Sequence, residues 1–323
     1  MKSIRVAVII PVYNGSLLIS RCLDSVFNQN SVFDLEVIVI DDSSTDNSAE
    51  IVRNYPNHVR LMKQENQGPA AARNRGILAA TGKYLAFLDA DDYWEPGFLA
   101  ATVNFMESNP EAVAVSVGQL HKIPGKPDTV APALLKNNPE KYPVPILLDD
   151  FFEFWAEHNH VCTGSVLMRT DIVKQTGGQR PELRITEDLE FWAYLATFGK
   201  WGFIPKVLFV SDGGAVTLQM GWLDKNKKRW ASAPTVEVWE SRIIKRIGNP
   251  IPAGYLASRG HIAGNLAYSM ILSSRDELAR ETIMISKKYL KKNKLNILLK
   301  AASCNYLVWA ITCNLLRNRE YNR

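Results

Sequence analysis

Tyr84–Trp94 reads YLAFLDADDYW, an apolar run that ends in three carboxylates, Asp89, Asp91 and Asp92. Tyr84–Leu88 has the length and bulk of a buried strand. In an open α/β sheet, ligands bind in the crevice beyond the carboxyl ends of the strands. Clustered carboxylates repel one another, so such a loop is unfavourable unless a cation or a polar ligand compensates. A hard divalent ion, Mg²⁺ or Mn²⁺, held by one or two carboxylates and the oxygens of a diphosphate, meets that need. The plainer alternative is an acidic turn that caps the next helix, with Asp91 or Asp92 as its N-cap.

Two further strands carry the same design. Val37–Ser48 reads VIVIDDSSTDNS, an apolar strand running into the acid pair Asp41 and Asp42, and Ile4–Ile10 leads into Pro11-Val12-Tyr13-Asn14-Gly15. Burying two acid groups as mere packing is costly, whereas one polyanionic ligand with its metal accounts for both. Strands are expected at Ile4–Ile10, Leu35–Ile40, Val59–Lys63, Tyr84–Leu88 and Ala112–Val117, with helices at Leu17–Asn28, Asp46–Asn54, Ala70–Ala80 and Pro96–Glu107 between them. That alternation predicts a doubly wound α/β sheet. Thr81-Gly82 reads as a glycine end to the third helix. Gln119–Pro145, rich in Pro, Lys and Asn, reads as a long surface loop. Val161–Arg169 and Trp201–Val210 read as strands flanking a helix that starts near Glu187, and beyond Gly221 only helical patterns follow, broken at Gly248–Pro252.

PVYNG, the strand ending DDSSTDNS, ENQGPAAARNRG (Glu65–Gly76) and FLDADDYW (Phe87–Trp94) stand in the order and spacing of the family 2 glycosyltransferases, which this chain resembles over roughly its first 115 residues. ITEDLEFW at Ile185–Trp192 resembles that family's acidic acceptor-side motif; the match weakens through Leu120–His160 and is lost after about Val210. The resemblance implies the GT-A fold, a doubly wound, Rossmann-like mixed sheet, here with a C-terminal helical extension. Residues 1–220 would form the nucleotide-sugar-binding and catalytic domain and 221–323 the extension. It also implies inverting transfer of a sugar from a UDP-sugar, with Mg²⁺ or Mn²⁺, to a hydroxyl of a saccharide acceptor. A lipid-linked acceptor in bacterial surface-polysaccharide biosynthesis (O-antigen, capsule or exopolysaccharide) is expected.

The same resemblance distributes the roles. Pro11, Tyr13 and Asn14 are expected at the nucleotide-sugar, Tyr13 flat against the base. Asp42 would accept the N3–H of uracil while Asp41 supports the turn. Gly68 allows a close backbone approach, Pro69 suits a first helical turn, and Arg73 would reach the diphosphate with its planar guanidinium. Asp89 and Asp91 are expected at the ribose, and Asp91 and Asp92 on the metal. Asp188 would be the general base that takes the acceptor proton, with Glu187 as the backup. Each role has a structural alternative. Tyr13 could pack on the sheet edge, Asp42 could close an Asx-type turn, Arg73 could form a surface salt bridge, and Asp188 could sit at a helix N-terminus for its dipole.

The rest of the chain narrows the class. A hydrophobic content of 46% and a charged content of 22% over 323 residues suit a globular protein with one large or two modest domains. Four scattered cysteines, Cys22, Cys162, Cys304 and Cys313, lack C-x-x-C spacing, which disfavours a disulfide framework or zinc site and fits a reducing cytoplasm. The first residues enter a strand at once, without the pattern of a secretion signal, so a cytoplasmic location is expected. Residues 281–323 hold nine Lys or Arg against two Glu, while the remainder is near neutral with 29 basic and 31 acidic side chains. No basic stripe interleaved with aromatics points to nucleic acid.

Within that basic tail, Leu295–Leu316 reads LNILLKAASCNYLVWAITCNLL, and its longest uncharged run, Ala301–Leu316, has 16 residues. That is short of the roughly 20 a spanning helix needs. Peripheral membrane contact through 285–317, with Tyr306 and Trp309 as interfacial anchors at the inner face of the cell membrane, competes with an amphipathic helix that closes the core; the charge balance favours the interface.

Other features carry less. Asn226-Lys227-Lys228-Arg229-Trp230 is similar to the Q-x-x-R-W motif of processive synthases but has Asn for Gln, and the spanning helices of those enzymes are absent from the sequence pattern, so addition of a single sugar is expected. His121, His158, His160 and His261 show no metal-ligand spacing. A nucleotidyltransferase would want a lysine-rich phosphate loop where this chain has PVYNG. A catalytically silent nucleotide-sugar-binding or scaffold protein would not need the full set of acids.

Overall fold

The computed structural model describes residues 4–29, 33–212 and 222–321. It divides into two compact units, one of Met1–Phe151, His158–Pro181 and Glu187–Leu218, the other of Phe152–Glu157, Glu182–Thr186 and Gln219–Arg323.

The first unit is built on a mixed sheet. Its strands are β1 (Arg5–Val12), β2 (Asp34–Asp41), β3 (Arg60–Lys63), β4 (Tyr84–Phe87), β5 (Tyr93–Trp94), β6 (Ala112–His121), β7 (Thr129–Ala131), β8 (Ile146–Leu148), β9 (Val166–Arg169) and β10 (Lys200–Ser211). The order is β3-β2-β1-β4-β9-β6-β10-β5, with β7 beside β6 and β8 beside β10. β3, β2, β1 and β4 run parallel. β9 enters antiparallel to both β4 and β6, so β6, and β10 parallel to it, point the same way as β1. The carboxyl ends of β1, β2, β4, β6 and β10 therefore share one edge.

Continuous apolar runs suit strands covered on both faces, and Val6–Ile10 are all fully buried. Val6, Val8 and Ile10 pack with Ile19, Cys22, Leu23 and Val26 of α1 (Ile19–Phe27) and with Phe98, Leu99, Val103 and Met106 of α4 (Phe98–Ser108). The other face meets α3 (Pro69–Ala79), where Gly76 lies so close that a Cβ would come within 2.4 Å of Ile9 Cγ2. α2 (Ser48–Arg53) follows β2, α6 (Phe151–Glu157) precedes β9, and α7 (Thr170–Thr176) and α8 (Glu187–Leu195) follow it.

Several expectations change. Gly82 does not cap α3: the helix ends at Ala79 with an extended cap residue, Ala80. Gly82 instead allows close approach to β1, since a Cβ there would lie 2.7 Å from the Ala7 nitrogen. Gln119–Pro145 is not wholly a loop, because β6 continues to His121, β7 returns antiparallel along it, and α5 (Leu134–Asn137) follows. The strand expected at Val161–Arg169 begins at Val166. Ser165 N and Ser165 Oγ donate to Cys162 O at 3.1 and 3.0 Å across a turn in which Gly164 has a φ of 94°. Asp91 and Asp92 do not cap α4, which starts at Phe98 behind the left-handed Gly97.

The second unit is helical, as the sequence predicts: Trp222–Ala231, Val236–Glu240, Ile244–Ile247, Ala253–Leu272, Asp276–Ser286, Lys294–Ala302 and Tyr306–Tyr321. Asn226–Trp230 lies on the first of these. The tail, expected as one helix over Leu295–Leu316, is two. The break falls at Ser303–Asn305, where Asn305 Oδ1 accepts from Val308 N at 3.1 Å. Trp309 is no interfacial anchor: it is buried, and its Nε1 donates to Asp276 O at 2.9 Å. Among the described residues no helix is long and apolar enough to cross a membrane.

Candidate active site at the carboxyl edge of the sheet

The first two loops are sewn together. Val12 and Asp41 are register partners, and Asp42 N donates to Val12 O at 2.9 Å. Asn14 adopts a left-handed φ of 52°, a conformation Asn tolerates. Its Oδ1 accepts from Thr45 N at 2.8 Å, and its own N–H donates to Ser44 Oγ at 3.0 Å. Gly15 N and Ser16 N donate to Ser48 Oγ and Asp46 Oδ2. Burial works against the Asp46 carboxylate, yet hydrogen bonds from Ser48 and Ser16 hold its pKa at about 2. Pro11 lies within β1, while Tyr13 stands 52% exposed on the rim rather than packed on the sheet edge.

Asp41 and Asp42 take different tasks. Asp41 Oδ1 accepts from Ser44 N at 2.8 Å and so closes its own turn. Asp42 reaches across instead: Oδ1 accepts from Gln64 Nε2 at 2.8 Å and Gln67 N at 2.9 Å, and Oδ2 accepts from Gly68 N at 2.9 Å. It thereby joins the end of β2 to the loop where Gly68, with a φ of 88°, leads into Pro69 at the start of α3.

Arg73 on α3 is 4% exposed, so it is not a surface salt bridge. Nη2 donates to Asp89 Oδ1 at 2.5 Å and Nη1 to Gln179 Oε1 at 3.3 Å. Asn74 and Gln179 exchange two further bonds, Asn74 Nδ2 to Gln179 O at 2.8 Å and Gln179 N to Asn74 Oδ1 at 2.7 Å.

With Asp89 engaged by Arg73, Asp91 and Asp92 are left to repel each other. Burial pushes Asp92 up to about 8, and Asp89 and Asp91 add to the shift. Burial, then Asp89, also raises Asp91. A buried acid, Asp92, and a half-buried one, Asp91, held against their preferred charge fit a divalent cation, which would restore both carboxylates. Among the described residues no three His, Cys, Asp or Glu converge as a complete metal cage. A carboxylate pair that shares the ion with diphosphate oxygens needs none.

Asp188 lies in the first turn of α8 and is half-buried. Burial raises its pKa, while the Leu189 N–H and Arg73 pull it back and Asp89 raises it again. Arg73 feels Asp89, Asp188 and Glu187 in turn. The edge thus brings Asp188 and Glu187 into the same electrostatic neighbourhood as Asp89, from about 100 residues away.

Three residues at this edge were missed by sequence reasoning. Asp212 follows β10: its N–H donates to Asp92 Oδ1 at 2.9 Å, and its carboxylate pairs with Arg21. Arg21 on α1 also donates to Asp91 O at 2.6 Å and lies over the Tyr93 ring at 4.9 Å. The signal for Asp212 was present, a strand ending in an acid as β2 and β4 do. Cys162 is the third; burial pushes its thiol up, and Asp92, Asp188 and Asp89 add to the shift.

Comparisons with known proteins bear on the family and the fold. Residues 7–176 match the family model described as Glycosyl transferase family 2. Over 92 residues the chain is 52% identical to YibD, an uncharacterized glycosyltransferase of Escherichia coli K12, covering 27% of this chain and 26% of that protein. Over 128 residues it is 39% identical to the poly(ribitol-phosphate) beta-glucosyltransferase of Bacillus spizizenii, covering 38% of this chain and 20% of that one. The chain thus spans about a quarter and a fifth of the length of these two relatives. Among solved structures, S. aureus TarS 1-349 in complex with UDP-GlcNAc superposes with a TM-score of 0.56 at 16% identity, covering 93% of this chain and 91% of that one. The mannosyltransferase PcManGT of Pyrobaculum calidifontis, in complex with GDP-Man and Mn²⁺, superposes with a TM-score of 0.57 at 18% identity, covering 98% and 88%. Likeness at these identities shows the GT-A fold.

Proposed function

Because the chain belongs to glycosyl transferase family 2, we propose that it transfers a sugar, with inversion, from a UDP-sugar to a hydroxyl of a saccharide acceptor. Catalysis is assigned to residues 1–220 and the helical extension to 221–323. The observation that carries the reading is the gathering of acids at one edge of the sheet: the Arg73–Asp89 pair, Asp91 and Asp92 after β4, and Asp188 in the first turn of α8, whose pKa burial raises. A base must stand apart from the leaving diphosphate, and a carboxylate raised above its ordinary range accepts a proton more readily.

In this mechanism Tyr13 lies against the base and Asn14 keeps its loop in place. Asp42 supports the Gly68 approach to the nucleotide and is the candidate reader of the uracil N3–H. Asp89, oriented by Arg73, and Asp91 hold the ribose. Asp91 and Asp92 would hold Mg²⁺ or Mn²⁺, whose chemistry is to neutralise the departing diphosphate. Asp188 takes the proton from the acceptor hydroxyl as that oxygen attacks the anomeric carbon opposite the diphosphate; Glu187 is the reserve.

Relatives named for poly(ribitol-phosphate) glucosylation and minor teichoic acid biosynthesis, and a fold neighbour solved with UDP-GlcNAc, support a UDP-sugar and a surface-polysaccharide acceptor. We assign a lipid-linked acceptor at the inner face of the cell membrane. The test is a UDP-sugar panel with Mn²⁺, scored for UDP release and for the anomeric configuration of the product. Metal-dependent UDP release from one donor is expected, with inversion. Absence of UDP release across the panel overturns the donor, and a retained configuration overturns the mechanism.

A further inference from the structure

Helix Tyr306–Tyr321 has two apolar faces. Trp309, Thr312, Cys313 and Leu316 face inward and are buried. On the opposite side Leu307, Val308, Ile311 and Leu315 are 70%, 47%, 51% and 64% exposed. Their spacing of one, four and eight residues puts them on one stripe. Helix Lys294–Ala302, which packs against it, repeats the pattern. Leu299 and Ala302 are buried, while Ile297 and Leu298 are exposed on the face that also carries Lys294. Contiguous exposed apolar side chains of this size mark an interaction surface rather than ordinary surface chemistry.

Charge identifies what covers it. Lys287, Lys288, Lys291, Lys292 and Lys294 are all exposed, and no acid occurs between Glu281 and Glu320. Lys287 Nζ lies 3.1 Å from Cys304 Sγ, which sets the first of these lysines at the hinge between the two apolar helices. A second copy of the same face would bring two lysine runs together, which repel. A bilayer containing anionic phospholipid complements both features, headgroups for the lysines and the acyl boundary for the stripe.

We propose that helices Lys294–Ala302 and Tyr306–Tyr321 form a docking face that lies on an anionic bilayer surface, with Leu307, Ile311 and Leu315 inserted and the 287–294 lysines at the headgroups. The face stands on the residues of the second unit alone and does not rest on the transfer chemistry above.

The full chain is sedimented with vesicles of phosphatidylcholine alone and with 30% phosphatidylglycerol added, at low and high salt, beside two variants. One is Leu307→Ser/Ile311→Ser/Leu315→Ser, and the other is Lys287→Gln/Lys288→Gln/Lys291→Gln/Lys292→Gln. Expected are salt-sensitive binding of the parent to the anionic vesicles only, and a tenfold or greater loss in each variant. UDP release in solution should stay unchanged. Failure of the parent to bind anionic vesicles overturns the proposal, as does parent-like binding by the serine variant. A concentration-dependent dimer in light scattering that the serine variant abolishes also overturns it, because the stripe would then belong to a second copy. Vesicle binding without UDP release from any donor would sink the transferase reading and leave the docking face standing.

Discussion

Arg73 Nη2 donates to Asp89 Oδ1 at 2.5 Å, from a side chain that is almost wholly buried. This pair separates the three acids of the DADD loop: Asp89 has a permanent cation, whereas Asp91 and Asp92 do not. Removing the arginine would leave a part-buried carboxylate with no countercharge. Arg73→Ala is expected to cost about 2–3 kcal/mol of stability, less than a fully buried pair because Asp89 is partly solvated. Donor affinity should fall as well. Chemical denaturation beside UDP titration checks this, and unchanged values in both would remove Arg73 from the site.

For Asp92, the folded pKa of about 8 lies above the ordinary carboxylate value of about 3.9. Between those values the folded chain holds a proton that the unfolded chain has lost, so stability falls as pH rises from about 4 to about 8. Asp92→Asn should flatten that slope in metal-free protein and raise Tm at pH 8, at about 2–4 °C per kcal/mol for a domain of this size. Asp91→Ala and Asp92→Ala should both lose Mn²⁺-dependent UDP binding by calorimetry; parent affinity in the two variants would refute the metal assignment.

Asp188→Asn should leave donor affinity near the parent value and lower kcat by about 10²–10⁴-fold. Since burial raises the Asp188 pKa and the base works when deprotonated, the acid limb of the kcat profile should lie above the ordinary carboxylate range. A variant with parent-like turnover would pass the role to Glu187.

Arg21 ties α1 to the acid loop through Asp91 O and to the end of β10 through Asp212. Arg21→Ala should raise the half-saturating Mn²⁺ concentration several-fold while leaving kcat at saturating metal nearly unchanged. Lysine retains the charge but lacks the two-pronged fork, so Arg21→Lys should recover only part of the loss. A drop in kcat alone would argue against a positioning role.

Gly82→Ala tests close packing rather than helix capping. The added Cβ would sit 2.7 Å from Ala7 N and 3.0 Å from Arg5 O and Tyr84 O, all backbone atoms. Overpacking of this kind costs about 1–3 kcal/mol. A thermal melt with no loss of Tm would mean that β1 yields freely.

The legible parts of this fold are those written in contiguous residues. β1, β2 and β4 announce themselves as apolar runs that stop at polar loops, and those loops do lie along one edge of the sheet. What sequence left hidden is non-local. Nothing in Val166–Arg169 says that it pairs with β4 and β6, and the two-residue β5 is defined only by β10. Asp212 acquires its place from that same pairing. Composition misled at Gln119–Pro145, where backbone pairing with β6 overrides Pro and Lys content, and at Trp309, whose indole finds Asp276 O inside the helical unit.

The position of β9 also has a consequence for synthesis. β4 and β6 are complete once residue 121 has been made, yet the strand that fills the gap between them ends at Arg169. A nascent chain is thus committed to an interval of nearly fifty residues during which two central strands show unpaired edges, the condition in which strands pair with the wrong neighbour. Nascent chains that have emerged from the ribosome only to just before Val166 should be chaperone clients, and those that have emerged past Thr176 should begin to resist protease.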